Sequence, residues 1–302
     1  MSELPGLDRF LPVAVELGDE ATTLDRAHAL LEDVAPGTAC VLPEFIAWTA
    51  EGSARAYIEL SSVARAHDVT IITTLTLGPD LTEDLPGRDE ETMYGALVVF
   101  TRHGDVHVPQ AKLTPQAFER SEALGGENIG VGAYDRSNLV RIDTGERLLD
   151  VRFIVGSDLW LLTRVAPSEL ACDLLIVPAH FAIGAEGEAR AALSSALEAS
   201  VARAAIFVNA FDAPPPPDEE SHREPLAIKV AELLAADKKK KPVARWPRPR
   251  ALADHFRLLD DDQMTSFAAM SGSPLREGRI VVPRALAEAP FSTARYPVTI
   301  TL

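Results

Sequence analysis

Few side chains in this chain are of types that do chemistry on their own, and their spacing excludes several common sites. Two cysteines, Cys40 and Cys172, stand among 302 residues, which excludes a disulfide framework and a Cys-rich zinc site. The seven histidines include no His-Glu-x-x-His, the spacing that sets two imidazoles on one helix face around zinc. His103 and His107 flank Asp105, but Gly104 and the apolar pattern around them predict a surface hairpin, not the helix that would align their rings. There is no G-x-x-x-x-G-K-[ST] phosphate loop and no G-x-S-x-G elbow, and the glycines between Gly125 and Gly132 do not follow a strand as a dinucleotide loop would. No metal and no cofactor are expected. The polar residues of interest follow apolar strands: Glu44 after Leu42-Pro43, Lys112 after a hairpin, Ser157-Asp158 after Val155-Gly156, and His180-Phe181 after Pro178-Ala179. Each alone has an ordinary structural reading, Glu44 as a solvated loop acid and Lys112 as a surface cation. The place of His180 at a strand's carboxyl end, where open α/β sheets bind ligands, favours a site.

The elements that must carry these residues alternate between strand and helix. Residues 10–17 read as a buried strand, and 22–34 as an amphipathic helix with Leu24, Ala27, Leu31 and Val34 on one face and a Thr available as its cap. Residues 40–42 form a short strand leading to Glu44, 53–67 a second helix, and 69–77 a buried strand rich in β-branched residues. Two hairpins follow, 96–101 with 105–109 and 139–142 with 147–155, and then a strand from Cys172, a helix over 187–203 and a strand over 205–208. Buried parallel-type runs mixed with hairpins predict a mixed sheet covered by helices.

Charge and composition narrow the function further. The chain carries 45 acidic and 29 basic side chains, a net charge of −16, which argues against general binding to a phosphate backbone. No run of 18 apolar residues occurs, and the start MSELPGLDRF lacks the basic-then-apolar order of a signal peptide. A soluble, cytoplasmic protein with no membrane partner is expected. Residues 212–266 break the pattern with four prolines (Pro214 to Pro217), an acidic stretch and then seven basic residues between Lys238 and Arg250, interleaved with Trp246. This segment reads as a Pro-rich, charged surface insertion within a single domain spanning 1–302. Its ordinary reading is a solvated loop and its functional one a contact with a protein partner; nucleic acid is disfavoured by the overall charge.

Five segments in order carry a resemblance: Leu42-Pro43-Glu44-Phe45, residues 94–99 (YGALVV), residues 110–115 (QAKLTP), residues 155–160 (VGSDLW) and residues 174–179 (LLIVPA). Together they resemble the nitrilase superfamily of carbon–nitrogen hydrolases over about residues 10–210, resuming at 271–283. The resemblance implies an α/β fold, a nitrilase-like four-layer αββα sandwich of mixed sheets flanked by helices, which pairs with a second copy as a dimer or higher homo-oligomer. It also implies a Glu–Lys–Cys set acting on a small amide-, nitrile- or carboxylate-type ligand. There the thiolate attacks the carbon, the Glu moves the proton, and the Lys with backbone N–H groups stabilises the oxyanion. The Glu falls on Glu44 and the Lys on Lys112. A further glutamate falls on Glu119, with Gly126 behind it and Glu122 as the competing match. Asp158, Trp160, His180 and Phe181 fall where substrate contacts are expected, with Asp158 reading equally as a structural hydrogen-bond acceptor at a strand end.

The nucleophile is where the chain departs. Asp158 anchors the motif, Ser157 takes the intervening place, and the cysteine position is Gly156. Cys40 and Cys172 both read as small buried residues. Without Sγ the acyl-enzyme route is closed, so the resemblance predicts a degenerate member serving as a ligand-binding or assembly subunit. The rival expectation is a hydrolase using Glu44-activated water or Ser157. The strand period of two turns Ser157 away from Glu44 unless the strand ends in a sharp turn. A third reading is an inactivated variant of a cysteine-dependent amidohydrolase.

Overall fold

Strands with apolar residues on both faces need a covering layer on each side, and two sheets here meet part of that need by stacking on each other. The computed structural model describes residues 3–4, 9–83, 85, 92–115, 119, 129–130, 132, 140–143, 148–163, 170–181, 186–199, 201–212, 266–270, 278–280 and 294–295. In chain order the strands are β1 (Glu3–Leu4), β2 (Arg9–Ala14), β3 (Glu16–Leu17), β4 (Thr38–Val41), β5 (Thr70–Leu77), β6 (Tyr94–Phe100), β7 (Val106–Ala111), β8 (Val140–Asp143), β9 (Leu148–Phe153), β10 (Leu174–Ala179), β11 (Ala204–Asn209), β12 (Phe211–Asp212), β13 (Ser266–Met270), β14 (Gly278–Ile280) and β15 (Ala294–Arg295). The helices are α1 (Glu20–Leu31), α2 (Ala50–Ala66) and α3 (Glu186–Glu198), with a 3₁₀ helix at Gly156–Thr163.

One sheet has six strands in the order β15-β2-β4-β5-β6-β7 and the other seven in the order β1-β8-β9-β10-β11-β13-β14. Both are mixed: β2, β4 and β5 run parallel before the antiparallel β6 and β7, and β9, β10 and β11 are parallel neighbours. The strand period of two sorts side chains into layers. Val41, Ile72, Leu97, Phe153, Ile176 and Ile206 meet between the two sheets. Their chain neighbours Cys40, Ile71 and Val98 point the other way and pack under α1 and α2. Leu175, Val177 and Phe207 pack under α3 and the 3₁₀ helix. The result is the expected four-layer αββα arrangement, with each buried Leu, Ile or Phe contributing about 1.5–3 kcal/mol.

Local differences from the sequence reading have local causes. The first helix is capped by Asp19, whose Oδ1 accepts from the Thr22 N–H at 2.8 Å, so Thr22 lies inside the first turn and is not its cap. The third ends at Glu198, short of residue 203, because the N–H groups of Arg203 and Ala204 already donate to the Asp173 carbonyl beside the sheet. His103 does lie on the expected hairpin, where Gly104 supplies φ +96° for the turn. Of the 212–266 insertion, residues 213–265 lie outside the described residues. β12 ends at Asp212, and β13 begins at Ser266 in antiparallel register with β11. No helix among the described residues is long and apolar enough to cross a membrane.

Candidate functional site

Three charged side chains from three separate segments meet where β4, β7 and β10 end. Glu44 follows β4, and its N–H crosses to the other sheet to donate to the Ala179 carbonyl at the end of β10 (3.3 Å). Lys112 follows β7, held by its N–H to the Gly95 carbonyl (2.7 Å). The Lys112 Nζ lies 2.6 Å from Glu44 Oε1 and 2.7 Å from Glu119 Oε1. All three are buried, at 4%, 3% and 7% exposure for Glu44, Lys112 and Glu119, so none is the solvated surface charge that its local sequence would give. Charges this deep persist only when paired and hydrogen-bonded. Glu44 Oε2 also accepts the His180 N–H at 3.2 Å. Glu122 and Gly126 lie outside the described residues.

Burial pushes the Glu44 carboxyl up to about 7; Lys112 opposes this, and Glu119 adds to it. Burial disfavours the Lys112 cation, but Glu119 and Glu44 more than reverse that and hold its pKa above the ordinary lysine range. The site therefore holds a firmly charged ammonium beside a carboxyl poised near neutrality, the combination that proton transfer uses. Phe45, next to Glu44, sits at φ +64°, a conformation costing a bulky residue of order 1–3 kcal/mol. Its ring lies 5.8 Å from Lys112 Nζ and meets the His180 ring edge-on at 5.5 Å.

Gly156 stands at the turn from β9 into the 3₁₀ helix, with φ +48°. A Cβ placed there would lie 2.9 Å from Glu44 Cδ and 3.0 Å from Oε1, and closest of all to Oε2. The space of the missing side chain is thus filled by the Glu44 carboxylate. Ser157 is not aimed at Glu44: its Oγ donates to the Thr114 carbonyl at 2.8 Å. The cause is the sharp turn at Gly156, not the strand alternation invoked from sequence.

Asp158 is fully buried and accepts from the N–H groups of Leu113 (2.9 Å) and Thr114 (2.7 Å) and from Thr114 Oγ1 (2.7 Å). Burial raises its carboxyl to about 6 against the pull of those hydrogen bonds. Both its oxygens hold the backbone that follows Lys112, the structural acceptor role that the sequence also allowed. Trp160 and Phe181 pack against each other. Their rings lie 5.8 Å apart, and Phe181 stacks on Phe207 at 6.0 Å, in the layer between the seven-stranded sheet and α3. Phe181 is fixed there by Asn209, whose side chain bonds both its N–H (2.6 Å) and its carbonyl (2.9 Å). His180 reaches the site through its backbone N–H and its ring contact with Phe45. Cys40 is buried under the helices, and burial pushes the half-buried Cys172 thiol up to about 12, so Cys172 is not a poised thiolate.

Beside Glu44 lies a cavity of about 30 Å³, lined among the described residues by Glu44, Glu119, Phe45, Trp48, Thr74 and Thr76, with others. It has room for one or two water molecules. Thr74, Thr76 and Trp48 carry no motif, and Asn209 showed only as a polar residue ending a buried strand. Glu20 is also invisible in sequence. Its carboxylate leaves α1 to accept the N–H groups of Trp48 (2.5 Å) and Thr49 (2.6 Å), fixing the far end of the loop that carries Glu44. Among the described residues no group of three metal-ligating side chains gathers.

The sequence matches no family model, and no curated protein matches it. Solved structures do match in fold. One is a CN-hydrolase superfamily protein from Xanthomonas campestris, at TM-score 0.50 and 16% identity over 68% of this chain and 77% of that one. An amidase from Nesterenkonia sp. gives a TM-score of 0.48 at 16% identity, over 68% of this chain and 76% of its own. A carbon–nitrogen hydrolase from Helicobacter pylori gives 0.44 at 14% identity, over 67% and 73%. The fold is that of a nitrilase-like α/β sandwich, like that of the Xanthomonas protein.

Proposed function

We propose that this chain is a carbon–nitrogen hydrolase-type protein that has lost covalent catalysis and binds a small amide-, nitrile- or carboxylate-type ligand in the pocket beside Glu44. The observation that carries the reading is the Gly156–Glu44 pair: residue 156 has no atom to attack a carbon, and the Glu44 carboxylate fills the space where that atom would be. Glu44, Lys112 and Glu119 remain together and buried, an arrangement whose two carboxylates and one ammonium leave room for ligand recognition without a nucleophile. The protein works as a pseudoenzyme in the cytoplasm, as a homodimer or larger homo-oligomer, with 212–266 available to a protein partner.

One observation favours a second reading. A base near neutrality adjoins a cavity that takes a water molecule, which is the minimum for slow hydrolysis by Glu44-activated water with Lys112 stabilising the oxyanion. An assay of the protein, Glu44→Gln and Gly156→Cys against a panel of amides and nitriles, with intact-mass detection of thioester, separates the two. The expected result is no turnover and no adduct in the unaltered chain. Turnover that disappears in Glu44→Gln would overturn the loss of catalysis.

A further inference from the structure

The glycines around the Glu44 site serve different ends. Gly130 donates its N–H to the Met93 carbonyl at 2.8 Å, and Gly132 to the Lys112 carbonyl at 2.9 Å. A Cβ on Gly130 would lie 2.5 Å from Thr92 Cγ2, and one on Gly132 would run into the Ala111 carbonyl, so close packing on β6 and β7 demands glycine at both. Gly95 meets no such demand. It lies inside β6 without a positive φ, and the irregular pairing of β6 with β7 falls beyond it, between Leu97 and Val99. Among the described residues, the nearest atom to a Cβ placed there is Lys112 Cβ at 3.9 Å, an ordinary contact. A glycine inside a strand forfeits packing, and where no bulge calls for it, it marks the approach of a ligand or of another backbone. No other described backbone lies within 4 Å of that position, and what Gly95 does border is the cavity beside Glu44.

Ile129 borders the same cavity. It pairs with Met93 by a parallel bridge just ahead of β6, and the Gly130 and Gly132 N–H groups anchor the segment that carries it. Of the described lining, Trp48, Gly95 and Ile129 are partly exposed and the rest are buried, so a ligand reaches Glu44 past these three. Phe45, Leu75 and Val155 add apolar wall, which suits an alkyl tail. We propose that Gly95 and Ile129 determine the specificity of this pocket, Gly95 by leaving room for the ligand's tail and Ile129 by limiting its length. The ligand selected has about two carbons, as acetamide, acetonitrile and acetate do, because a cavity of about 30 Å³ holds little more. A side chain at position 95 would fill that room, and a shorter one at 129 would extend it, so the two positions control chain length in opposite directions. The inference rests on the ligand-binding reading above and adds the size of its ligand.

The test is calorimetric titration of the full chain with paired shorter and longer probes: acetamide and butyramide, acetonitrile and butyronitrile, acetate and butyrate. With whichever head group binds, the shorter probe should bind at least about tenfold more tightly than its longer partner, the usual worth of methylenes that a pocket cannot house. Gly95→Ala should weaken the shorter probe about tenfold by occupying its space, without lowering the midpoint of urea unfolding, because alanine suits a strand interior at least as well as glycine. Ile129→Ala should bring the longer probe to within about threefold of the shorter one. A purely structural role of Ile129 would weaken both lengths alike and leave their ratio unchanged. Equal binding of the two lengths by the unaltered chain, Gly95→Ala binding as the unaltered chain does, or Ile129→Ala keeping the original ratio would each overturn the inference while leaving the ligand-binding reading intact. No binding by any probe would overturn both.

Discussion

The carboxylate of Glu44 occupies the space that a side chain on Gly156 would fill, and the absence of a Cβ at Gly156 is what lets it do so. From that position Glu44 reaches Lys112 and the His180 N–H together. The positive φ of Gly156 adds a second reason for glycine, since an L side chain there costs about 1–2 kcal/mol. Gly156→Ala is therefore expected to displace Glu44 and to lower stability by at least about 1–2 kcal/mol. Urea unfolding of the two proteins measures it, and an unchanged midpoint would refute the mutual fit of the pair.

Lys112 stands between two buried carboxylates, so removing it leaves like charges facing each other without water. Lys112→Met should destabilise the fold by about 3–5 kcal/mol, the cost of breaking a buried ion pair from one side. The double change of Lys112→Met with Glu44→Gln should recover part of the loss, because one stranded charge is gone. A double-mutant cycle in urea reads that coupling directly.

The pH dependence of stability has a definite sign at Glu44. Burial raises its folded carboxyl from the ordinary 4.5 to about 7, so between those values the folded state holds more protons than the unfolded one. The stability this gives is complete below 4.5 and is lost as pH rises through 7. Asp158, raised to about 6, acts in the same direction at lower pH. Glu44→Gln should flatten the fall between pH 5 and 7, seen in unfolding midpoints across that range; an undiminished slope would remove Glu44 as its source.

Asp158 holds the backbone after Lys112 through the Leu113 and Thr114 N–H groups. Asp158→Ala leaves those donors buried without acceptors, at about 1–3 kcal/mol each. The expected signature is faster amide hydrogen exchange at Leu113 and Thr114, with a stability loss larger than that of Asp158→Asn, which retains one acceptor oxygen. Exchange at those two amides unchanged from the parent would deny Asp158 its anchoring role.

At the other end of the Glu44 loop, Glu20 binds the Trp48 and Thr49 N–H groups, and Gly52 leaves space for its carboxylate. Gly52→Ala should push Glu20 away and cost more than the favourable Gly-to-Ala change in a helix returns, where the latter is about 1 kcal/mol. A thermal scan showing Gly52→Ala more stable than the parent would contradict it.

Much of this was legible in the sequence because strand and helix periods are local. The apolar pattern of residues 69–77 and the β-branched content that goes with it require a buried strand whatever surrounds it. The order of the motifs around Glu44, Lys112 and Asp158 pointed to the fold and to the charged cluster of Glu44, Lys112 and Glu119. Helix ends were less legible: Asp19 and Thr22 are both good caps, and only backbone geometry chooses between them.

What the sequence determined by itself is therefore the sandwich, the strand ends that carry Glu44 and Lys112, and the lack of a cysteine at position 156. What the tertiary structure alone decided is how those groups are used. Glu44 and Lys112 are 68 positions apart and Asp158 is 45 from Leu113, so no local pattern encodes their contacts. Burial likewise belongs to the assembled layers: it makes Glu44 a near-neutral acid, sets Asp158 against the backbone after Lys112, and places Thr74 and Thr76 in the lining of a cavity. Desolvation and long-range hydrogen bonding exist only once the two sheets have closed on each other.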